Sequence, residues 1–276
     1  LNKIQTIIDE IYEENLKFIQ KNNYVCGTLS IYYHKKQKEA ANMYVSSLKK
    51  NFKKYLPNVT LKPCCVKNEN LPFLEYTIKE DSSNGIIIMN PLTENNNDDK
   101  YYSAIPETSD LDKLSSKYLL TKKEEELPIT AYGIFKILER LRNKKATLNV
   151  CLIGNGLTVN SHLQAFLLKH KNYNVAVVTR SLEETNSWYS NFISNADVIV
   201  SATGIPEFLD SYKFYGKLII SPTIVKNKKN EFCSDVSAFL KDKVDTNHVL
   251  GGIGKLTTSE LLVRYIKQFI GEQYDR

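Results

Sequence analysis

The chain has 276 residues, 42% hydrophobic and 25% charged, an ordinary globular composition that excludes disorder as the main state and allows one large domain or two modest ones. Its net charge of +6, from 37 basic and 31 acidic side chains, is too dilute to imply a nucleic-acid partner without a basic cluster. Five cysteines without a C-x-x-C, histidines without a pair at ligand spacing and the absence of a long apolar run argue against a disulfide framework, a metal site and a membrane span.

In chain order, Ile4, Ile7, Ile8, Ile11, Leu16 and Ile19 recur near helical spacing and predict a helix over 1–22. Residues 24–33 are rich in aromatic and β-branched side chains and read as a strand. Residues 35–55 form a second helix with a basic outer face, 59–66 a strand and 72–79 a short helix. The apolar run NGIIIMNPL, 84–92, fits a strand buried on both faces, which favours a parallel sheet. Residues 94–102 and 122–127 read as polar and charged loops. Then come a helix at 130–142, a strand at 148–154, a helix at 158–169, a strand at 175–179, a helix at 184–194, strands at 197–202 and 217–221, and a closing helix at 257–269. This second half is the β-α-β-α-β pattern of a doubly wound nucleotide domain.

Four segments carry candidate chemistry. In CLIGNGLTVNSHL, 151–163, a strand ends at Gly154 and a glycine turn, Gly154-Asn155-Gly156, leads into a helix whose free N–H groups would favour a phosphate; a turn of this kind is also commonly structural. VVTRSLEET, 177–185, ends the next strand, where a nucleotide domain meets the ribose. Arg180 and Ser181 there suit a 2′-phosphate, and Arg180 is one of only five arginines; a surface Arg beside a helix cap is the plainer reading. SATGIPEFL, 201–209, has Gly204 for close approach of a flat ligand. GGIGKLTTSELL, 251–262, leads from three glycines into a helix with Thr257 or Thr258 as its N-cap, and the cost of ordering those glycines implies close approach to something.

These motifs, in order, resemble the bifunctional methylenetetrahydrofolate dehydrogenase/cyclohydrolase (FolD) family over nearly the whole chain. YVSSLKK (44–50) is similar to the family's Y-V-x-x-K-x-K, GIIIMNPL (85–92) to G-I-L-V-Q-L-P-L and DLDKL (110–114) to D-V-D-G-F. PITAYG (128–133) is similar to P-C-T-P-x-G, and LIGNGLTVNSH (152–162) to V-I-G-R-S-x-I-V-G-x-P. ADVIVSATGIP (196–206) is similar to A-D-I-V-V-x-A-x-G-x-P, and GGIGKLT (251–257) to G-G-V-G-P-M-T. The departures are specific. Tyr44 is kept, but the family's lysine position is Leu48 and its glutamine position Met89. Asp112 matches the aspartate that contacts the pterin ring. Asn155-Gly156 replaces Arg-Ser, and SPTIV (221–225) keeps only Ile224 of D-V-G-I-N.

The resemblance implies an α/β chain of two domains. Residues 1–140 would form a folate-binding domain, joined by the C-terminal helix 255–276, and residues 141–254 a Rossmann-like NAD(P) domain. It implies oxidation of 5,10-methylenetetrahydrofolate with NADP, or alternatively NAD, followed by hydrolysis of the methenyl product. Tyr44, Asp112, Gly251 and Gly252 would face the folate. Gly154, Asn155, Gly156, Arg180, Ser181, Gly204, Ile224 and Thr257 would face the cofactor. With Leu48 and Met89 in place of polar groups, the hydrolytic step is expected to be weak or lost. Further expectations are a homodimer, no metal, no nucleic-acid or membrane partner, and a cytoplasmic or mitochondrial-matrix rather than secreted protein. A catalytically degenerate binding protein of the same fold is the alternative; a shikimate-dehydrogenase-like enzyme is disfavoured, because no Lys–Asp pair suits its cleft.

Overall fold

The computed structural model describes residues 2–93, 98–142, 146–179, 188–211, 217–237, 243–248 and 251–274. The chain divides into two compact units, Glu13–Tyr118 with Thr258–Arg276, and Leu1–Tyr12 with Leu119–Thr257. Helix α1 (Lys3–Lys21) begins in the second and ends in the first.

The first unit is built on a three-stranded parallel sheet. Strand β1 (Gly27–His34) is central, β2 (Val59–Val66) pairs with it from Gly27↔Val59 to His34↔Val66, and β3 (Gly85–Ile88) from Leu29↔Gly85 to Tyr32↔Ile88. From Leu29 onward β1 is buried on both faces, and its one small polar residue there, Ser30, shares a 2.8 Å hydrogen bond with Ser83. Helix α2 (Lys38–Tyr55) buries Ala41, Val45, Leu48, Phe52 and Tyr55, alternating steps of four and three that make one stripe, and leaves Lys49 and Lys50 exposed. Helices α3 (Leu71–Lys79) and α4 (Asp99–Ala104) pack on each other. The C-terminal helix, Ile253–Tyr274, ties itself in beyond Thr258. Its Tyr265 packs edge-on against Phe52 and donates to Cys26 O, and its Arg264 and Gln268 donate to Leu111 O and Asn84 O.

The second unit holds a five-stranded, wholly parallel sheet. It runs from helix α5 (Ile129–Arg142) through β4 (Leu148–Ile153), α6 (His162–Leu167), β5 (Tyr173–Val178), α7 (Trp188–Asn195), β6 (Val198–Ser201) and β7 (Leu218–Ile220). A small hairpin of β8 (Val225–Lys226) and β9 (Phe232–Cys233) and a last short strand β10 (Asp245–Thr246) follow. The sheet order is β10-β7-β6-β4-β5, so the chain moves outward from β4 first to one side and then to the other. The reversal falls between β4 and β6, the switch point at which open α/β sheets bind ligands. Successive residues of β4 serve opposite cores. Val150 and Leu152 pack with Ile4, Ile8, Ile134 and Leu138, whereas Cys151 and Ile153 pack with Ile199, Ile219, Val236 and Val244.

The boundary read at residue 140 therefore moves to 118/119, and residues 1–12 go with the five-stranded sheet. The apolar faces of α1 and α5 pack together beneath that sheet, and Asp245 accepts the Lys3 and Ile4 N–H groups at the start of α1. An amphipathic stripe shows that a helix is covered, not by which sheet. Two elements also change type or extent. Residues 99–102, the end of a stretch read as loop, form α4 together with Ser103 and Ala104. The helix read over 158–169 is a π-helical turn, Leu157–Ser161, followed by the six residues of α6.

Candidate functional site

Past the switch point lies a cavity of about 400 Å³, a size that suits a cofactor portion or small ligand. Gly154, Asn155 and Gly156 form one wall, Thr179 follows from β5, and Ala202, Thr203 and Ile205 follow from β6. Gly154 holds φ +85°, and a Cβ there would stand 3.0 Å from Ala202 O, so this turn needs glycine at the point where β4 and β6 meet. Buried Asn160 locks the turn, its Nδ2 donating to Ile153 O at 2.9 Å and Gly154 O at 2.8 Å. Gly156 differs: it has no positive φ, and a Cβ would meet nothing within 4 Å. The space beside it is open to a ligand. Among the described residues lining the cavity none is charged. Arg180 and Ser181, the expected 2′-phosphate partners, lie outside the described residues, directly after Thr179.

The remaining expected cofactor and glycine positions fall elsewhere in the same unit. Gly204, between the wall residues Thr203 and Ile205 in the chain, takes φ +70° but does not itself line the cavity. Ile224 is exposed and lies next to Gly254, whose carbonyl accepts the Thr257 hydroxyl at 3.1 Å. Thr257 is thus inside the C-terminal helix, which starts at Ile253, and neither it nor Thr258 is the N-cap. The glycines before it are explained by the chain's own backbone. A Cβ on Gly252 would lie 2.1 Å from His248 O, and Gly251 takes φ +80° with its carbonyl accepting from Gln5.

In the three-stranded unit, Tyr44 and Asp112 are electrostatic neighbours. Burial raises the Tyr44 hydroxyl above its ordinary pKa, and the Asp112 charge adds to the shift. A residue that sequence reasoning missed joins them. Tyr102, buried on α4, is raised by burial and then by Asp98, Asp112 and Asp99, and its hydroxyl donates to Asn90 Oδ1 at 2.7 Å. Its only signal was the Tyr101-Tyr102 pair inside a stretch read as loop. Leu48 stands one turn from Tyr44 with no exposed surface, and Met89 is half-buried with its N–H on Tyr32 O. The lysine next to Asp112 in sequence does not replace the missing one. Lys113, at φ +58°, turns its Nζ to Glu107 O and the Tyr118 hydroxyl, and burial lowers its pKa. Among the described residues no cluster of His, Cys, Asp or Glu could hold a metal ion, and no helix is long and apolar enough to cross a membrane.

Residues 128–273, more than half of the chain, match the family Tetrahydrofolate dehydrogenase/cyclohydrolase, NAD(P)-binding domain. The chain belongs to that family. The stretch includes β4, β5, β6 and the cavity at their ends, so the cavity lies in the family's NAD(P)-binding domain. A bifunctional FolD protein of Agathobacter rectalis is 27% identical over 202 residues, 71% of each chain. Among solved structures, the FolD methylenetetrahydrofolate dehydrogenase/cyclohydrolase of Campylobacter jejuni superposes with a TM-score of 0.76 at 22% identity, covering 97% of each chain. The Trypanosoma brucei FolD structure, determined with NADP cofactor and an inhibitor, gives 0.73 at 20% identity over 97% of this chain and 95% of that one. The two-domain fold of these structures thus extends over 97% of the chain, including the N-terminal part outside the family match.

Proposed function

We propose that this chain oxidises the one-carbon bridge of 5,10-methylenetetrahydrofolate by hydride transfer to NAD(P), and that it hydrolyses the methenyl product weakly or not at all. Family membership and the dinucleotide cavity support the first part. The second rests on one observation: beside Tyr44, on the same face of α2, stands the fully buried hydrocarbon of Leu48. Hydride transfer draws mainly on alignment of donor and acceptor, which the cofactor domain supplies. Hydrolysis needs a water positioned and deprotonated and a proton returned, and neither Leu48 nor Met89 can do this. Tyr44 does not fill the gap. Its pKa is raised, so it is a proton-bearing hydrogen-bond donor and not a base at neutral pH.

In this reading Tyr44 and Asp112 hold the pterin side of the folate, and Gly154, Asn155 and Gly156 receive the pyrophosphate. Arg180 and Ser181 take the 2′-phosphate, which favours NADP over NAD. Gly204, Ile224 and Thr257 serve the cofactor and Gly251 and Gly252 the substrate through backbone groups. The family resemblance also supports a homodimer, which light scattering of the purified chain tests. Activity is tested by following reduced nicotinamide at 340 nm with methylenetetrahydrofolate and each dinucleotide, and by resolving methenyl from formyl product in the same sample. The expected result is dehydrogenase turnover with methenyl product accumulating. Formyl product keeping pace with reduced nicotinamide, beyond the spontaneous rate, would show that another base exists.

A further inference from the structure

The far wall of the dinucleotide cavity is fastened from behind by one carboxylate. Asp235, two residues beyond β9, is 0% exposed. Its Oδ2 accepts the Ser201 hydroxyl at 2.5 Å and the Thr203 N–H at 3.1 Å. Its backbone is tied in as well. Asp235 O accepts from Leu209 N at 2.9 Å, Ser234 O accepts from Glu207 N at 2.9 Å, and Asp235 N donates to Ser221 Oγ at 3.4 Å. One residue thus gathers the end of β6, the 207–209 segment and the end of β7. What it holds most directly is cavity wall. Ala202, Thr203 and Ile205 line the cavity, and Thr203 Oγ1 accepts from Ile205 N at 3.1 Å, so the position of Thr203 sets the turn on both of its sides.

The other oxygen, Oδ1, has no hydrogen-bond partner although it is buried. Burial raises the Asp235 pKa, against the pull of the Ser201 and Thr203 donors on Oδ2. A half-satisfied buried carboxyl costs stability. A clamp needed for folding alone would be served better by a fully paired or apolar group. We propose that Asp235 is a positioning residue of the dinucleotide site: through Oδ2 it holds Ser201 and Thr203 so that the 202–205 turn keeps the shape the cofactor needs. It touches neither cofactor nor substrate in this role. The assignment rests on the dinucleotide reading of the cavity.

Three variants test it, each read by NADPH fluorescence titration, by KM and kcat for the dinucleotide, and by thermal melting. Asp235→Asn keeps an acceptor at the Oδ2 position and puts its NH2 where no partner is lost. It should bind NADPH within about threefold of wild type, whereas Asp235→Ala should bind at least about tenfold more weakly, because the 202–205 turn loses the anchor that sets its shape. In Asp235→Ala the dinucleotide KM should rise far more than kcat at saturation falls. A folded Asp235→Ala whose melting point drops while its NADPH affinity stays within about twofold of wild type would show a role in stability alone and overturn the proposal. Equal losses in Asp235→Asn and Asp235→Ala would overturn it too, since the acceptor would then not be what matters. Should Asp235→Ala not fold, Ser201→Ala removes one of the two donors. It is expected to weaken NADPH by about threefold, and unchanged affinity there would overturn the assignment. Wild-type protein that binds neither NADPH nor NADH overturns the cavity reading itself and the assignment with it.

Discussion

Two residues carry most of the proposed chemistry. Leu48 belongs to the core stripe of α2, in step with Val45 and Phe52, so the side chain at the family's lysine position is held in apolar packing. Leu48→Lys should lower stability by at least about 2 kcal/mol, because an ammonium enters a site without solvent; a melt in denaturant measures this. Combined with Met89→Gln, the same change should raise methenyl hydrolysis by about 10²-fold or more if lost acid–base groups are what limit it. An unchanged hydrolysis rate in a folded double variant would locate the defect elsewhere. The other residue is Arg180. It follows Thr179, a residue of the cavity wall, directly in the chain, and in the proposed reading it meets the 2′-phosphate. Arg180→Ala should weaken NADPH by about 1–3 kcal/mol and leave NADH nearly unchanged, as paired titrations would reveal.

Among the elements, the glycine turns separate into two kinds that look alike in sequence. Gly252 is wedged against His248 O, and Gly154 sits at positive φ against Ala202 O, so both are required by the fold. Gly156 has open space where a Cβ would go and no left-handed backbone. Gly252→Ala should therefore lower the melting temperature, at a cost of about 2 kcal/mol or more. Gly156→Ala should leave it within a few tenths of a kcal/mol of wild type and still weaken the dinucleotide, whose approach the methyl would hinder. A Gly156→Ala protein that binds NADPH normally would remove this turn from the phosphate site. The same contrast bears on legibility. The glycines of 251–254 were read as allowing something to approach closely, and at Gly252 a carbonyl only four residues earlier in the chain does so.

For the whole molecule, four buried or half-buried tyrosines are expected to set an alkaline limit. Tyr32, Tyr44, Tyr102 and Tyr173 all have raised pKa values, each with burial as the first cause, followed by a carboxylate neighbour: Asp81, Asp112, Asp98 and Glu139 respectively. In the unfolded chain these hydroxyls ionise near the ordinary value of about 10. Above that pH the unfolded state holds fewer protons than the folded one, so stability falls as pH rises. The contribution of these groups is fully present below about pH 10 and is lost progressively above it. Melting temperatures should show this fall, and Tyr44→Phe, which removes one such group, should fall less steeply. A wild-type melting temperature that stays level well above that pH would mean the tyrosines are hydrated in solution.

The sequence by itself determined the class and order of most of the long elements. Strand runs such as Gly85–Ile88 and Leu148–Ile153 are legible as short continuous apolar runs, and the stripe of α2 because side-chain direction repeats every 3.6 residues. It also determined which polar groups are missing at positions 48 and 89, since that is a matter of residue identity. Only the tertiary structure decided which sheet α1 and α5 cover, that α4 forms in a polar stretch and brings Tyr102 toward Asp112, and which glycines the backbone itself requires. It alone showed Asp235 closing on Ser201 and Thr203, 34 and 32 residues away. These are contacts between segments distant in the chain, and no periodicity within a segment encodes its partner; burial and hydrogen-bond geometry choose it only when the whole chain has folded.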